Sequence, residues 1–115
     1  IVKAQRAHFL TGITRPVEWR KKQLITLKKL LQENLDEWAV SQVKDLRKPK
    51  EACEFELRMF IPRIDYLIAN VERWVQPEMF ETFASLDAAK DAVLVVKEPL
   101  GVTLTIAPWN CPLYS

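Results

Sequence analysis

Apolar residues recur every three or four positions along most of residues 1–76, which is the spacing of helices with one buried face. The pattern predicts a short helix over Val2–Leu10 that ends near Gly12, a residue suited to closing a helix. A longer helix is predicted to begin at Pro16, since proline is tolerated at the first helical position, and to end near Leu46. Its apolar stripe consists of Leu24, Leu27, Leu31, Leu35 and Trp38.

The third helical segment carries the strongest apolar stripe and contains an interior proline. It is predicted to begin at Pro49 and to end near Gln76. Pro62 removes one backbone hydrogen bond, at a cost of about 3 kcal/mol or more. Either the helix kinks there or two helices meet, and the unbroken period on both sides favours a kink. The stripe consists of Leu57, Phe60, Ile61, Ile64, Leu67, Ile68, Val71 and Val75.

The pattern changes from helical to strand-like after residue 76. Glu78–Lys90 is weakly patterned and is interpreted as a loop, with room for a helical turn around residues 77–83. Ala92–Val96 and Val102–Ile106 are short runs rich in β-branched residues, and each predicts a strand. Pro99 and Gly101 in the connector allow the chain to reverse or change direction. The two strands therefore form either a hairpin or parts of different sheets.

Composition narrows the classes of protein that fit this pattern. The chain of 115 residues is long enough for one small domain, and 49% hydrophobic with 28% charged residues is typical of folded proteins. A net charge of +2 argues against a dedicated nucleic-acid binder. No apolar run reaches the roughly 18–20 residues that span a bilayer. Cys53 and Cys111 lack the spacing of a zinc or redox motif, so no metal site is predicted.

The layout also predicts an incomplete fold. The chain begins at Ile1 rather than Met and ends at Ser115 directly after a motif, so we expect a piece of a longer protein. Helices followed by two strands cannot complete an open sheet, and the helical stripes need more partner surface than two strands offer. We therefore expect marginal stability for the chain by itself.

Asn110 is the residue whose chemistry and position favour a functional role. It follows the Val102–Ile106 run, and ligands of open α/β sheets bind beyond the carboxyl ends of strands. A side-chain amide has two N–H donors that can be aimed at a developing oxyanion. The alternative is that Asn110 only caps a turn before Pro112. His8, the one histidine, has no partner in the sequence and is interpreted as a surface or boundary residue.

Two stretches carry a resemblance to a known family. Glu98-Pro99-Leu100-Gly101-Val102, then a short apolar strand and Pro108-Trp109-Asn110-Cys111-Pro112, resembles the aldehyde dehydrogenase superfamily. Gln5-Arg6-Ala7-His8-Phe9 and Thr14-Arg15-Pro16 are similar to the N-terminal part of its class 3, or fatty aldehyde, branch. The resemblance covers the chain, which would be about the first quarter of such an enzyme.

The resemblance implies an α/β fold, with a helical layer and the first strands of the NAD-binding domain. Residues 1–76 would be the helical segment, 91–107 the two strands, with Val93–Val96 in a bridging element, and 108–115 the start of the active-site loop. Asn110 would be catalytic: with the backbone N–H of a catalytic cysteine, it would hold the oxygen of a thiohemiacetal before hydride passes to NAD or NADP. Cofactor-binding residues implied by the family are Ile106, Ala107, Pro108 and Trp109.

Some residues carry alternatives or departures. Trp109 is equally well interpreted as an ordinary buried aromatic residue. The family's nucleophilic cysteine and acidic base come after Ser115, so the fragment alone is expected to be inactive. Cys111 stands where the family usually has an aromatic residue, and no His or Lys beside it in the sequence activates it as a nucleophile.

The resemblance further implies oxidation of an aldehyde substrate to a carboxylic acid with NAD or NADP, usually in a homodimer. Localisation would be cytoplasmic or at the cytosolic face of the endoplasmic reticulum membrane, through a C-terminal anchor outside this stretch. The alternative is a small helical interaction module, or a truncated non-catalytic relative. The coding sequence beyond Ser115 would discriminate between them.

Overall fold

Helices make up most of the computed structural model, which describes residues 1–83, 86–87 and 89–112. Within these residues, four helices precede one two-stranded antiparallel sheet. The elements are α1 Val2–Leu10, α2 Val17–Glu33, α3 Leu35–Leu46, α4 Lys50–Trp74, β1 Glu78–Phe80 and β2 Val93–Val95. A mostly helical chain with one small sheet is consistent with part of an α/β domain.

The first helix ends as its sequence predicts. Thr11 is the C-cap of α1, and Gly12 follows with φ of 77°, in the left-handed region that glycine adopts without strain. The backbone N–H of Gly12 donates to the carbonyl of Phe9 at 3.0 Å. Pro16 stands just before α2 as its N-cap, one position earlier than expected.

The helix predicted from Pro16 to Leu46 is two helices, because the chain breaks at Asn34. There φ is −120° and ψ is 25°, outside the helical region. The Asn34 side-chain amide donates to the Leu30 carbonyl at 2.7 Å, where it competes with the helical backbone bond. The prediction of one unbroken helix was therefore wrong, since the apolar period continues across a residue that leaves the helix.

The core lies where α2 and α3 pack on α4. Lys21 on α2 pairs with Glu72 on α4 at 2.7 Å, and Lys28 pairs with Asp65 at 2.6 Å, so the two helices run antiparallel. Pro62 lies inside α4, which continues as one helix from Lys50 to Trp74. The buried apolar cluster consists of Leu31, Ala39, Cys53, Leu57 and Ile64.

The small sheet pairs a predicted strand with a segment that was predicted to be a loop. Ala92–Val96 was predicted as a strand, and Val93–Val95 is β2. Its partner is β1, with Met79 opposite Leu94, so interpreting residues 78–90 as a loop with a helical turn was wrong at Glu78–Phe80. Strand pairing depends on a distant partner, which local pattern does not reveal. Within 78–90, Ala84, Ser85 and Ala88 lie outside the described residues.

The predicted strand Val102–Ile106 is not a strand in this chain. Its β-branched residues favour extended backbone, but a strand also needs a hydrogen-bonded neighbour. Among the described residues, none pairs with this segment, and the side chains of Leu104 and Ile106 are 84% and 85% exposed. The hairpin between β2 and Val102–Ile106 is thereby excluded for this chain.

The two stretches that carry the family resemblance meet in space. Gly101 has φ of 99°, and a β-carbon there would lie 3.7 Å from Cε1 of Phe9. Arg15 faces Glu98 at 3.8 Å. A cleft of about 510 Å³ lies where α1 meets the later segment. It is lined by Ala4, Gln5, His8, Phe9, Thr14, Gly101, Val102 and Thr103.

In the part of the chain that is described, no helix is long and apolar enough to cross a membrane.

Candidate functional site

The segment around Asn110 lies near the end of α3 and the beginning of α4. Trp109 and Pro112 line one cleft of about 350 Å³ with residues of α3, among them Gln42. The side chain of Gln42 is buried, and neither of its amide atoms has a hydrogen-bond partner among the described residues. The tertiary fold therefore places the last described turn against the helical layer.

Asn110 itself is exposed and sits in a turn. The backbone N–H of Cys111 donates to the carbonyl of Pro108 at 3.2 Å, which closes the turn around Asn110. The Asn110 side-chain amide nitrogen lies 3.8 Å from Cys111 Sγ, a weak contact. Within residues 1–83, 86–87 and 89–112, no backbone N–H donates to the Asn110 side chain. The residue whose N–H a cap at Asn110 would bind comes after Pro112 and lies outside the described residues, so the capping alternative stays open. The amide donors are open to a ligand.

Lys48 holds the main chain of Asn110. It lies in the connector between α3 and α4, and its ammonium donates to the Asn110 carbonyl. The same ammonium donates to Glu56 Oε2 at 3.1 Å. The side chain of Glu56 is only 10% exposed, so the pair links α4 to the turn from a largely buried position.

The electrostatics of this contact keep the lysine charged. The hydrogen bond to Glu56 raises the pKa of Lys48 above its ordinary value of 10.5. Burial opposes the shift, while the negative charge of Glu56 favours the protonated lysine, and Cys111 and Cys53 make smaller contributions in the same direction. A cationic Lys48 at neutral pH follows from these contacts.

Cys111 has a different environment from the one its sequence neighbours indicate. Its side chain is partly buried and lines a cleft of about 320 Å³ with Lys48, Ala52, Phe55, Glu56 and Met59. No lysine or histidine lies next to it in the sequence, yet the fold brings Lys48 close enough for an electrostatic interaction. The sequence alone did not predict this cation.

The four predicted cofactor-wall residues form one continuous stretch before Asn110. Ala107 is partly buried and Pro108 is exposed, while Ile106 and Trp109 are 85% and 83% exposed. Trp109 is therefore not a buried aromatic residue in this chain. A Gly-rich phosphate loop is excluded, because the chain has two glycines.

Other candidate ligands do not cluster in the described structure. His8 is exposed on α1, which agrees with its prediction as a surface or boundary residue. Across residues 1–83, 86–87 and 89–112, no group of three or more His, Cys, Asp or Glu side chains could hold a metal ion.

The chain is similar to known proteins along its whole length. It matches the aldehyde dehydrogenase family over residues 1–115. "Aldehyde dehydrogenase family 3 comG" of Dictyostelium discoideum is 35% identical over 114 residues, which cover 98% of this chain and 24% of the relative. "Aldehyde dehydrogenase, dimeric NADP-preferring" of Canis lupus familiaris is 31% identical over 113 residues, covering 97% and 24%. "Aldehyde dehydrogenase family 3 member B1" of Homo sapiens is 34% identical over 109 residues, covering 94% and 23%.

These matches, together with the motifs around Gly101 and Asn110, show that the chain belongs to the aldehyde dehydrogenase family. Its curated relatives at this level of identity are class 3 aldehyde dehydrogenases, so the resemblance predicted from sequence is confirmed. The chain spans about a quarter of the length of the relatives it matches.

Sequence reasoning predicted Asn110 and its apolar neighbours but missed Lys48 and Glu56. Lys48 stands in Arg47-Lys48-Pro49, which was interpreted only as a helix boundary. Its contact with Asn110 crosses 62 positions. The one local signal for the pair is that Glu56 follows Lys48 by 8 residues. Such spacings between oppositely charged residues are common, so this one does not single out the pair.

Proposed function

We propose that this chain is the N-terminal part of an NAD(P)-dependent aldehyde dehydrogenase that oxidises aldehydes to carboxylic acids. The observation that carries the proposal is the family match over the whole chain, with relatives named as aldehyde dehydrogenases. Residues 1–76 contribute the outer helices, 91–107 two strands of the finished domain, and 108–115 the start of the active-site loop. Val102–Ile106 becomes a strand when a neighbouring strand from the remaining polypeptide pairs with it.

The proposed role of Asn110 is to donate a hydrogen bond to the oxygen that gains negative charge. When a cysteine thiolate bonds to the aldehyde carbon, the carbonyl π-electrons move to the oxygen, and the amide N–H stabilises that oxyanion. The exposed Asn110 amide supports this role, since its donors are open to a ligand. The cysteine and the carboxylate base belong to the part of the enzyme beyond this chain.

The proposed cofactor wall is the apolar stretch Ile106, Ala107, Pro108 and Trp109. NAD or NADP supplies a hydride acceptor when bound. The chain's residues contribute apolar surface that excludes water from the reacting carbon. One relative is named NADP-preferring and dimeric, which supports NADP as the first cofactor to test and a homodimer as the first assembly.

The proposal also covers where the enzyme works. We place it in the cytoplasm or at the cytosolic face of the endoplasmic reticulum membrane, with any membrane contact made by a C-terminal anchor. Fractionation of cells that express the full-length protein tests this placement. Recovery from the lumen of a secretory compartment would contradict it.

Replacement of Asn110 in the full-length enzyme tests the proposed mechanism. Asn110→Ala should lower kcat by about 10²- to 10³-fold, because one oxyanion donor is lost. The dissociation constant of the cofactor should stay the same, since the amide acts on the substrate oxygen. Formation of NADPH or NADH with an aldehyde is the readout.

A matched asparagine provides the control. Asn70 on α4 donates to the Tyr66 carbonyl at 2.8 Å and lies away from the turn, so Asn70→Ala should keep the parent kcat. A parent-like kcat in Asn110→Ala would remove Asn110 from the mechanism. Absence of aldehyde oxidation by the unaltered full-length protein would contradict the whole proposal and favour a non-catalytic relative.

A further inference from the structure

Lys48 joins two parts of the molecule that are far apart in the sequence. Its ammonium contacts Glu56, in the second turn of α4, and the main-chain carbonyl of Asn110. The side chain is 26% exposed, so most of it lies against the protein. One cation therefore ties the helical layer to the turn that carries the proposed oxyanion donor.

The backbone conformation on both sides of Lys48 restricts the position from which its side chain starts. Arg47 precedes it with φ of 54°, and Pro49 follows as the N-cap of α4 with φ of −55° and ψ of 140°. A residue before proline is restricted to extended backbone. The connector is also short, because α3 ends at Leu46 and α4 begins at Lys50. Both ends of the connector are thus fixed by rigid helices.

Glu56 explains why the cation stays in this position. One carboxylate oxygen accepts from Lys48, and the other is buried without a hydrogen-bond partner among the described residues. A buried carboxylate is costly unless a cation balances it. Glu56 therefore retains Lys48, and another N–H of the same ammonium donates to the Asn110 carbonyl.

The Asn110 turn is restrained by its own backbone and by the contact with Lys48. The backbone bond from Cys111 to Pro108 closes the turn, and residues 102–106 before it form no strand among the described residues. A hydrogen bond to the Asn110 carbonyl restrains the plane of the following peptide. Because the carbonyl and the side chain are both carried by the Asn110 Cα, this bond limits rotation about the Cα–C bond and so limits how the side chain can be oriented relative to Lys48.

We propose that Lys48 and Glu56 are positioning residues that orient the Asn110 amide through its main-chain carbonyl. The inference rests on the proposed function, since it gives that amide its task. Neither side chain touches the reacting atoms. Misplacement of a reacting group by about 1 Å can cost on the order of 10²-fold in rate, so loss of the restraint should slow turnover.

The test uses the full-length enzyme with both partners replaced. Lys48→Met/Glu56→Gln removes the pair without leaving a buried charge unbalanced. We expect kcat to fall by about 10- to 100-fold, with an unchanged dissociation constant for NADP. A parent-like kcat in the folded double variant would overturn the inference.

Combination with Asn110→Ala separates positioning from a general structural effect. If the pair acts through the amide, the triple variant should be no slower than Asn110→Ala alone, because the oriented group is already gone. Losses that multiply independently would show that Lys48 and Glu56 act elsewhere, and would overturn the inference.

Lys50 offers a matched control in the same region. It begins α4 and pairs with Asp36 at 3.3 Å and Glu54 at 3.6 Å, neither of which is a partner of Lys48. Lys50→Met removes more exposed ion pairs at the same end of α4 and should leave kcat unchanged. A loss equal to that of the Lys48 variant would assign the effect to general damage at the start of α4, and would also overturn the inference.

A second variant covers the case in which the first does not fold. Lys48→Gln/Glu56→Gln keeps polar side chains of similar size at both positions, while it removes the ammonium that donates to the Asn110 carbonyl. The same loss of kcat and the same non-additivity are expected. Failure of both variants to fold would make the pair a stability element and exclude the positioning role.

The outcomes also separate this inference from the proposed function. A slow Asn110→Ala with parent-like pair variants overturns the positioning role alone. A parent-like Asn110→Ala overturns the oxyanion role itself.

Discussion

At the residue scale, Arg47 shows how a strained backbone directs the residue that follows it. Arg47 has φ of 54° and ψ of 28°, and it is the non-glycine residue with positive φ in the described part of the chain. Its backbone N–H still donates to the Val43 carbonyl at 3.0 Å, as in a helix end that normally uses glycine. The left-handed turn sends the chain from α3 into Lys48 and α4.

Glycine at position 47 should stabilise the chain. The left-handed region costs an L-residue about 1–2 kcal/mol, while glycine loses about 0.5–1 kcal/mol more backbone entropy on folding, so Arg47→Gly should raise the free energy of unfolding by roughly 0.5–1 kcal/mol. Urea unfolding followed by helical circular dichroism measures it. The Arg47 side chain is exposed, so Arg47→Ala, which keeps the strain, should change little. Equal stability of the two variants would contradict the strain argument.

Asn110 shows how far local sequence goes in selecting a functional residue. Its place after a β-branched run and inside Trp-Asn-x-Pro was sufficient to choose it. The lysine on its carbonyl was not predictable, because no local rule connects a helix boundary with a turn 62 positions later.

At the element scale, α2 and α4 are joined by cross-helix ion pairs as well as by apolar packing. Lys21 contacts Glu72 at 2.7 Å and Lys28 contacts Asp65 at 2.6 Å, one pair about two turns from the other. The core side chains Leu31, Leu57 and Ile64 lie beneath this interface. The charged pairs bridge the solvent-exposed edge of the interface at which the apolar stripes meet.

The Lys21–Glu72 pair should make helix packing depend on pH at both extremes. The hydrogen bond with Lys21 lowers the pKa of Glu72 below its ordinary value of 4.5, so this stabilisation is present above that value and is lost as pH falls through the lowered pKa. The hydrogen bond with Glu72 raises the pKa of Lys21 above 10.5, so its stabilisation is present below that value and is lost as pH rises through the raised pKa.

Glu72→Gln tests both limbs in one variant. Its midpoint of thermal unfolding should vary less with pH at the acid and alkaline ends than that of the parent. Exposed ion pairs contribute little, so the differences should be small. Glu33→Gln is the matched control, because Glu33 pairs with Lys29 only within α2, at 3.7 Å. An unaltered pH profile in Glu72→Gln would show that this pair does not support the interface.

Element boundaries were predictable where the signal is local. Gly12 ended α1, and Pro16 and Pro49 preceded their helices, because glycine and proline restrict the backbone directly. Asn34 was missed, since its side chain breaks the helix without interrupting the apolar period. β1 was missed because Glu78–Phe80 is a strand only through pairing with β2.

At the scale of the whole molecule, the chain is elongated and has a small core. Its radius of gyration is 19.9 Å, whereas a compact domain of this length has about 13 Å. The extents are 64 × 31 × 24 Å. Leu100, Leu104, Ile106 and Trp109 are each more than four-fifths exposed. This surface is the part of the fold that the remaining polypeptide of the proposed enzyme would cover.

The isolated chain should therefore be weakly stable and inactive. We expect it to bind a dye that reports exposed apolar surface and to lose its helical circular dichroism at low urea, because little apolar area is buried. Incubation with aldehyde and NAD or NADP should give no reduced cofactor above the blank. Cooperative unfolding without dye binding, or clear turnover, would contradict the prediction that this stretch depends on the rest of the enzyme.

The sequence by itself determined the family, the helical character of the first part of the chain and the choice of Asn110. These features depend on residue type and short spacing, which are properties of neighbouring positions. Tertiary structure alone decided the break at Asn34, the pairing of β1 with β2 and the unpaired state of Val102–Ile106. It also decided that Lys48, held by a buried Glu56, contacts the Asn110 carbonyl. These features depend on contacts between distant residues, which form only when packing brings separate elements together.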